Sequence, residues 1–172
     1  MIRKLSLSLA AVALAATTAQ AQTGTVNVEA TVLAPLTLSQ ERPLQFGNTF
    51  PGVTRTIAST DAAASGALRI SGAGTSQIAI SAANMTVSLG CVSGGCTGQA
   101  LSLTIAPTAS VNTANATPTG ATAFTLGTSA ANANLVAGNL WLLIGGSITP
   151  AANQPAGVYQ GTVQINASYT GN

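Results

Sequence analysis

The sequence predicts an all-β chain, a β-sandwich of short strands, on three observations. Apolar and polar residues alternate with period two in run after run, the pattern of a half-buried strand. Gly and Asn punctuate those runs at Gly72, Gly74, Asn84, Gly90 and Gly94-Gly95, where turns are needed. No segment after residue 21 combines helical spacing with a charged face. Only the Ala-rich stretches near 61–67 and 129–137 have room for a turn or two of helix. Short strands at turn-separated intervals are what a sandwich requires.

At the N-terminus, Arg3 and Lys4 precede a short apolar run from Leu5 to Ala16. Ala19-Gln20-Ala21 then offers small residues where a signal peptidase reads. The run is well short of the roughly 18–20 apolar residues of a membrane span. Residues 1–21 are therefore expected to be a cleaved signal peptide, with Gln22 as the mature start. That predicts export through the periplasm of a Gram-negative bacterium to the cell surface or beyond. No later stretch is long enough to span a membrane as a helix, and the remaining length suits one domain with a real core.

The next residues form a stripe. Val26, Val28, Ala30, Val32, Ala34, Leu36 and Leu38 share one parity, opposite Asn27, Glu29, Thr31, Thr37 and Ser39. At about 3.3 Å per residue the run would be on the order of 40 Å long, whereas a typical strand has about five or six residues. Pro35 cannot donate to a ladder and divides it. Residues 22–33 thus read either as an N-terminal extension or as a first strand, with the sandwich domain at 34–172. The halves 25–33 and 36–39 are free to pair with different partners, including different molecules.

Beyond it, the clearest strands are Leu68-Arg69-Ile70, Ile78-Ala79-Ile80, Met85 to Leu89 and Leu101 to Ile105. Leu140-Trp141-Leu142-Leu143-Ile144 is apolar on both faces, which predicts a central strand. Its neighbours favour a core position for Trp141 over a sugar-stacking platform. Residues 106–139, rich in Ala, Thr, Asn and Ser and holding Pro107 and Pro118, predict long surface loops. The last run places Val163, Ile165, Ala167 and Tyr169 on one face, with Thr162, Gln164, Asn166 and Ser168 on the other.

Composition narrows the function. Apolar residues make up 47% of the chain, too many for a disordered one. After residue 21, Arg42, Arg55 and Arg69 balance Glu29, Glu41 and Asp61, which leaves no basic patch for nucleic acid. A surface of Ser, Thr, Asn, Gln and Gly gives little electrostatic support to a free monomer and suits a chain that is chaperoned or assembled. The chain has no His, and its single Lys lies in the expected signal. A Ser–His or Ser–Lys nucleophile pair is thus unavailable, and no enzyme, catalytic residue, cofactor or metal site is expected. Cys91 and Cys96 are the only cysteines. In an exported chain such a pair predicts a disulfide stapling a hairpin tip or loop, in preference to a redox or metal pair.

Two segments carry a resemblance: Ala34-Pro35-Leu36-Thr37-Leu38 followed by Leu44-Gln45-Phe46-Gly47, and Ile144-Gly145-Gly146 followed by Gly157-Val158-Tyr159-Gln160-Gly161-Thr162. On these motifs the chain resembles the exported bacterial β-proteins catalogued as domain of unknown function forty-four-oh-two, over essentially all of the mature sequence. That family is similar in layout to the subunits of chaperone–usher pili. The resemblance implies an incomplete immunoglobulin-like, pilin-like sandwich whose sheet is completed by a strand from another molecule. It implies that Val26, Val28, Ala30 and Val32 are the donor stripe. It also implies that a periplasmic chaperone first holds the strand of Val163, Ile165, Ala167 and Tyr169. Two features depart from pilin subunits: Tyr169 stands fourth from the end instead of second, and the cysteine pair is local where theirs commonly ties distant strands. The function expected is a structural or adhesive surface subunit that self-associates by strand donation. The alternative is a monomeric secreted or surface-attached sandwich that binds carbohydrate or protein.

Overall fold

The computed structural model describes residues 22–171. They divide into two units, one ending at Thr31 and the other beginning at Val32. In the first, residues 22–31 are exposed and in no strand.

The second unit is all-β, and its sequence order is β1 (Thr37–Arg42), β2 (Arg55–Ile57), β3 (Gly66–Ser71), β4 (Gln77–Ala82), β5 (Thr86–Gly94), β6 (Ala100–Ile105), β7 (Thr108–Asn112), β8 (Thr122–Thr125), β9 (Ala131–Asn134), β10 (Asn139–Ile144), β11 (Gly146–Ile148), β12 (Gly157–Gln160) and β13 (Ile165–Tyr169). Every ladder is antiparallel. The first sheet runs β1-β3-β10-β7-β8, the second β12-β5-β6-β11-β2, and a third, smaller one β13-β4-β9. This is the β-sandwich that the alternation predicts.

The chain crosses between the two larger sheets at Gly145, between β10 and β11. A side chain there would run into the Ile57 carbonyl and come within 2.7 Å of the Ser59 nitrogen, so only Gly lets the backbones pass.

The closed core lies where the first and third sheets meet. Ile70, Ile78, Ile80, Leu140 and Leu142 are fully buried together, and Leu36, Ala167 and Tyr169 pack against them. As predicted, β10 is central, and four of its six residues are buried. The second sheet turns polar residues outward: Thr86, Thr104, Ser147 and Thr56 pair in one row across four strands.

The region 106–139 departs from expectation. Instead of long loops it contains β7, β8 and β9, and the Ala-rich stretch near 129–137 is strand β9 rather than helix. Residues 62–64 form a turn that leads into β3, again without helix. Strand propensity is low in these segments, but packing overrides it. Leu126 and Leu135 are fully buried anchors. Asn112 organises the loop that follows β7: its amide donates to Asn115 Oδ1 at 3.3 Å, Thr117 O at 2.7 Å and Thr119 O at 3.1 Å, and its Oδ1 accepts from Ala114 N at 2.8 Å.

Candidate assembly site

The N-terminal arm carries the stripe, and residues 22–36 are assigned to no strand. Val26, Val28 and Val32 are 86%, 90% and 94% exposed, and Ala30 is exposed with them. The alternating apolar residues of this arm are uncovered. The first assigned ladder begins at Thr37, in β1.

Where the second unit takes hold of the chain, the anchoring is specific. The Tyr169 hydroxyl donates to Ala34 O at 2.7 Å and accepts from Ala73 N at 2.7 Å. Leu36 packs against the closed core. Pro35 stands between these two fixed residues, and β1 starts directly after them.

Strand β13 bears out the terminal alternation. Val163, Ile165, Ala167 and Tyr169 are half-buried, while the residues between them through Ser168 are exposed. Val163 lies just before the strand, and β13 pairs with β4 from Ile165↔Ala82 to Tyr169↔Ile78. It ends its sheet, so one edge is unpaired.

A groove of about 1260 Å³ opens in the second unit. This exceeds the roughly 300–1,000 Å³ of ordinary small-molecule pockets. Its floor is the inner face of the second sheet, with Leu89, Leu101, Leu103 and Ile148. Leu38 and Gln40 of β1 line it, as do Leu44, Phe46 and the 72%-exposed Phe50. Val158 and Tyr159 of β12, with Val163 and Ile165, complete the lining. Both β1 and β12 are terminal strands of their sheets.

Two details shape this lining. Tyr159 is fixed by its hydroxyl, which donates to Pro155 O at 2.9 Å and accepts from Gln154 Nε2 at 2.7 Å. Arg42 is held at the β1 bulge, its Nε donating to Ser65 O at 2.7 Å and its Nη2 to Ser65 Oγ at 2.9 Å. The Ser65 turn is in turn capped by Asp61, whose Oδ1 accepts from Ala63 N and Ala64 N at 2.9 Å each. Those two N–H bonds hold the Asp61 carboxyl below its usual pKa, Ala64 first, with Arg42 and Arg55 adding a smaller pull.

Cys91 and Cys96 form the expected disulfide, with Cα atoms 5.6 Å apart. It staples the end of β5 to the turn that leads into β6. The buried Cys96 sulfur sits under Gly157 of β12, where a Cβ would collide with it and lie 2.7 Å from Ser93 O. Gly157 thus lets β12 close over the bridge.

Leu44 and Phe46 are the residues that sequence reasoning missed. In the sequence Phe46-Gly47 reads as a strand end with a Gly turn and no chemistry, and Leu44 only as part of a family motif, whereas the structure places both apolar side chains on the groove. Their alternation was the available signal. Trp141 is also corrected. It lies on the outer face of β10, half-buried, between Arg69 and Asn112 on neighbouring strands, with the Arg69 guanidinium 5.4 Å from its ring centroid. Among the described residues, no group of three or more His, Cys, Asp and Glu is placed to hold a metal ion. No helix of the described residues is long and apolar enough to cross a membrane.

Fold and groove together define an all-β sandwich with an open apolar channel beside two sheet edges. A family model matches residues 36–169, and the chain belongs to that family, Domain of unknown function (DUF4402). The match starts at Leu36, directly after the arm, and ends at Tyr169. No curated protein matches the chain.

Proposed function

We propose that this protein is an exported structural or adhesive surface subunit that assembles with copies of itself by β-strand donation. The observation that carries this reading is the arm. Val26, Val28 and Val32 have the spacing of a buried strand face yet stand exposed in a segment that belongs to no strand. Leaving such a stripe in water forgoes roughly 1.5–3 kcal/mol for each large side chain that could be buried. Pairing it with a sheet edge adds main-chain hydrogen bonds for affinity and seats alternate side chains for specificity.

In this account residues 1–21, which lie outside the described residues, direct export. A periplasmic chaperone covers the free edge of β13, along Val163, Ile165, Ala167 and Tyr169, until assembly. The sparsely charged surface then serves a packed polymer better than a free monomer.

Deleting residues 22–33 tests the proposal. Wild-type protein is expected to form oligomers or filaments visible by negative-stain microscopy. The deletion should abolish them, and a peptide of residues 22–33 should bind the deleted subunit in trans. A wild type that forms no oligomer at any concentration would contradict the proposal and favour the monomeric carbohydrate- or protein-binding sandwich.

A further inference from the structure

We propose that Trp141 and Arg69, on the outer face of the first sheet, form a binding site for a carboxylate-bearing sugar of an acidic glycan. A receptor of this class deepens the adhesive part of the proposed function and rests on it, while owing nothing to strand donation.

The register of β3, β10 and β7 builds the site. Arg69 pairs with Trp141 and Trp141 with Asn112, so the three stand in one row, and Ser71 and Asn139 form the next row on the same face. Toward the other end of that face, Leu143 and Ser110 are buried, and Ser110 Oγ lies 2.9 Å from Ser59 Oγ. The segment around Ser59 thus covers that end. Trp141, Arg69, Ser71 and Asn139 are only half-buried.

Arg69 is presented as a fork. Its Nε and Nη2 donate to one acceptor, Asn139 Oδ1, at 3.1 and 2.8 Å. Asn139 is itself held: its Oδ1 also accepts from Ser71 Oγ at 3.1 Å, and its Nδ2 donates to Ala137 O at 3.0 Å. The guanidinium therefore rests one edge on a neutral amide, with its carbon 5.4 Å from the Trp141 ring centroid. Its other edge, the second Nη2 hydrogen and Nη1, has the geometry that takes a carboxylate through two parallel N–H bonds. Asn139 and the ring fix that edge before a ligand arrives, which lowers the ordering cost of binding.

The surroundings select a sugar over an acidic peptide. The exposed part of the indole offers apolar surface to the C–H face of a pyranose ring. Exposed Ser39 and Thr37 of β1 pair with Arg69 and Ser71, and so set hydroxyls beside the fork. A single guanidinium among hydroxyls and amides matches a ring with one carboxylate and several hydroxyls. A run of acidic residues would call for a cluster of cations, and Arg42, at the β1 bulge, is already bonded to Ser65.

Trp141 is the only tryptophan in the sequence, so its fluorescence reports on this site alone. The test places the mature chain on an array of neutral, uronic-acid and sialic-acid oligosaccharides, with polyglutamate as the peptide control. Glycans that bind are then titrated in solution against Trp141 emission, each beside its methyl ester. The expected result is binding confined to carboxylate-bearing glycans, a shift of Trp141 emission, and at least about tenfold weaker binding of the ester. Arg69→Lys keeps the charge but removes the fork, and should weaken binding by about tenfold with an unchanged circular dichroism spectrum. The ester comparison decides the matter even where a variant fails to fold. Absence of binding to any acidic glycan, equal binding of the esters or of polyglutamate, an unchanged Trp141 emission, or a folded Arg69→Lys that binds as wild type would each overturn the site. Sedimentation of the same samples separates the two readings. Assembly without sugar binding overturns this site alone, and sugar binding by a strictly monomeric chain supports it while removing strand donation.

Discussion

The apolar residues of this fold lie in two settings. Between the first and third sheets, Ile70, Ile78, Ile80, Leu140 and Leu142 are covered on all sides. On the inner face of the second sheet, Leu101, Leu103 and Ile148 are buried, but Leu44, Phe46, Leu89 and Tyr159 are covered only in part. Both regions have strands with the same alternation, so the difference comes from what lies opposite. The third sheet supplies β4 and β13 to close one region. The other is roofed at its margins by a loop and by β12, and remains a channel. A sandwich built this way holds itself together with one core and keeps the other available.

Substitutions sharpen that contrast. Leu142→Ala should cost about 2–5 kcal/mol of stability in denaturant unfolding, as expected of a fully enclosed leucine. Leu89→Ala on the channel floor should cost no more than about 1.5 kcal/mol, since its burial on folding is partial. Equal losses would break the distinction. Cys91→Ser should cost about 2 kcal/mol in the same measurement and still fold, because the bridge closes a short loop.

Tyr169→Phe removes a hydroxyl that joins the closed core to the base of the arm, leaving Ala34 O and Ala73 N without their partner. A loss of about 1–2 kcal/mol is expected in thermal unfolding, together with faster hydrogen exchange at Ala73. An unchanged exchange rate would mean that the hydroxyl does not hold that turn.

The smallest effect is on pH. Asp61 has a lowered carboxyl pKa in the folded chain, so its contribution is complete above the unfolded value and is lost as pH falls through the folded one. Acid should therefore loosen the turn that holds Arg42 at the groove, and Asp61→Asn should flatten that dependence. Asp61 is only half-buried, so a large change in global stability with Asp61→Asn would contradict this assignment.

Much of the closed core and of the channel floor was legible in the sequence. Residues 78–80, 101–105, 140–144 and 163–169 alternate, or run apolar, as their burial requires. Residues 106–139 were not legible. Their order comes from single anchors, Leu126 and Leu135, and from the side-chain bonds of Asn112, set among residues that carry no strand preference. The groove was hidden for a different reason: it brings Leu44 and Phe46 together with Leu101 and Leu103, which only the folded topology juxtaposes. The arm was half legible. Alternation identifies an extended stripe, but period two is a property of the backbone and does not name the partner strand. Trp141 misled because both adjacent positions in β10 are buried while its own side chain faces outward.

The most direct test of self-association through the arm is sedimentation velocity of the mature chain and of Val28→Asp across a wide concentration range. The account predicts concentration-dependent oligomers for wild type and a folded monomer for the variant. A wild type that sediments as a single monomeric species at the highest concentration, or a variant that assembles as well as wild type, would contradict it.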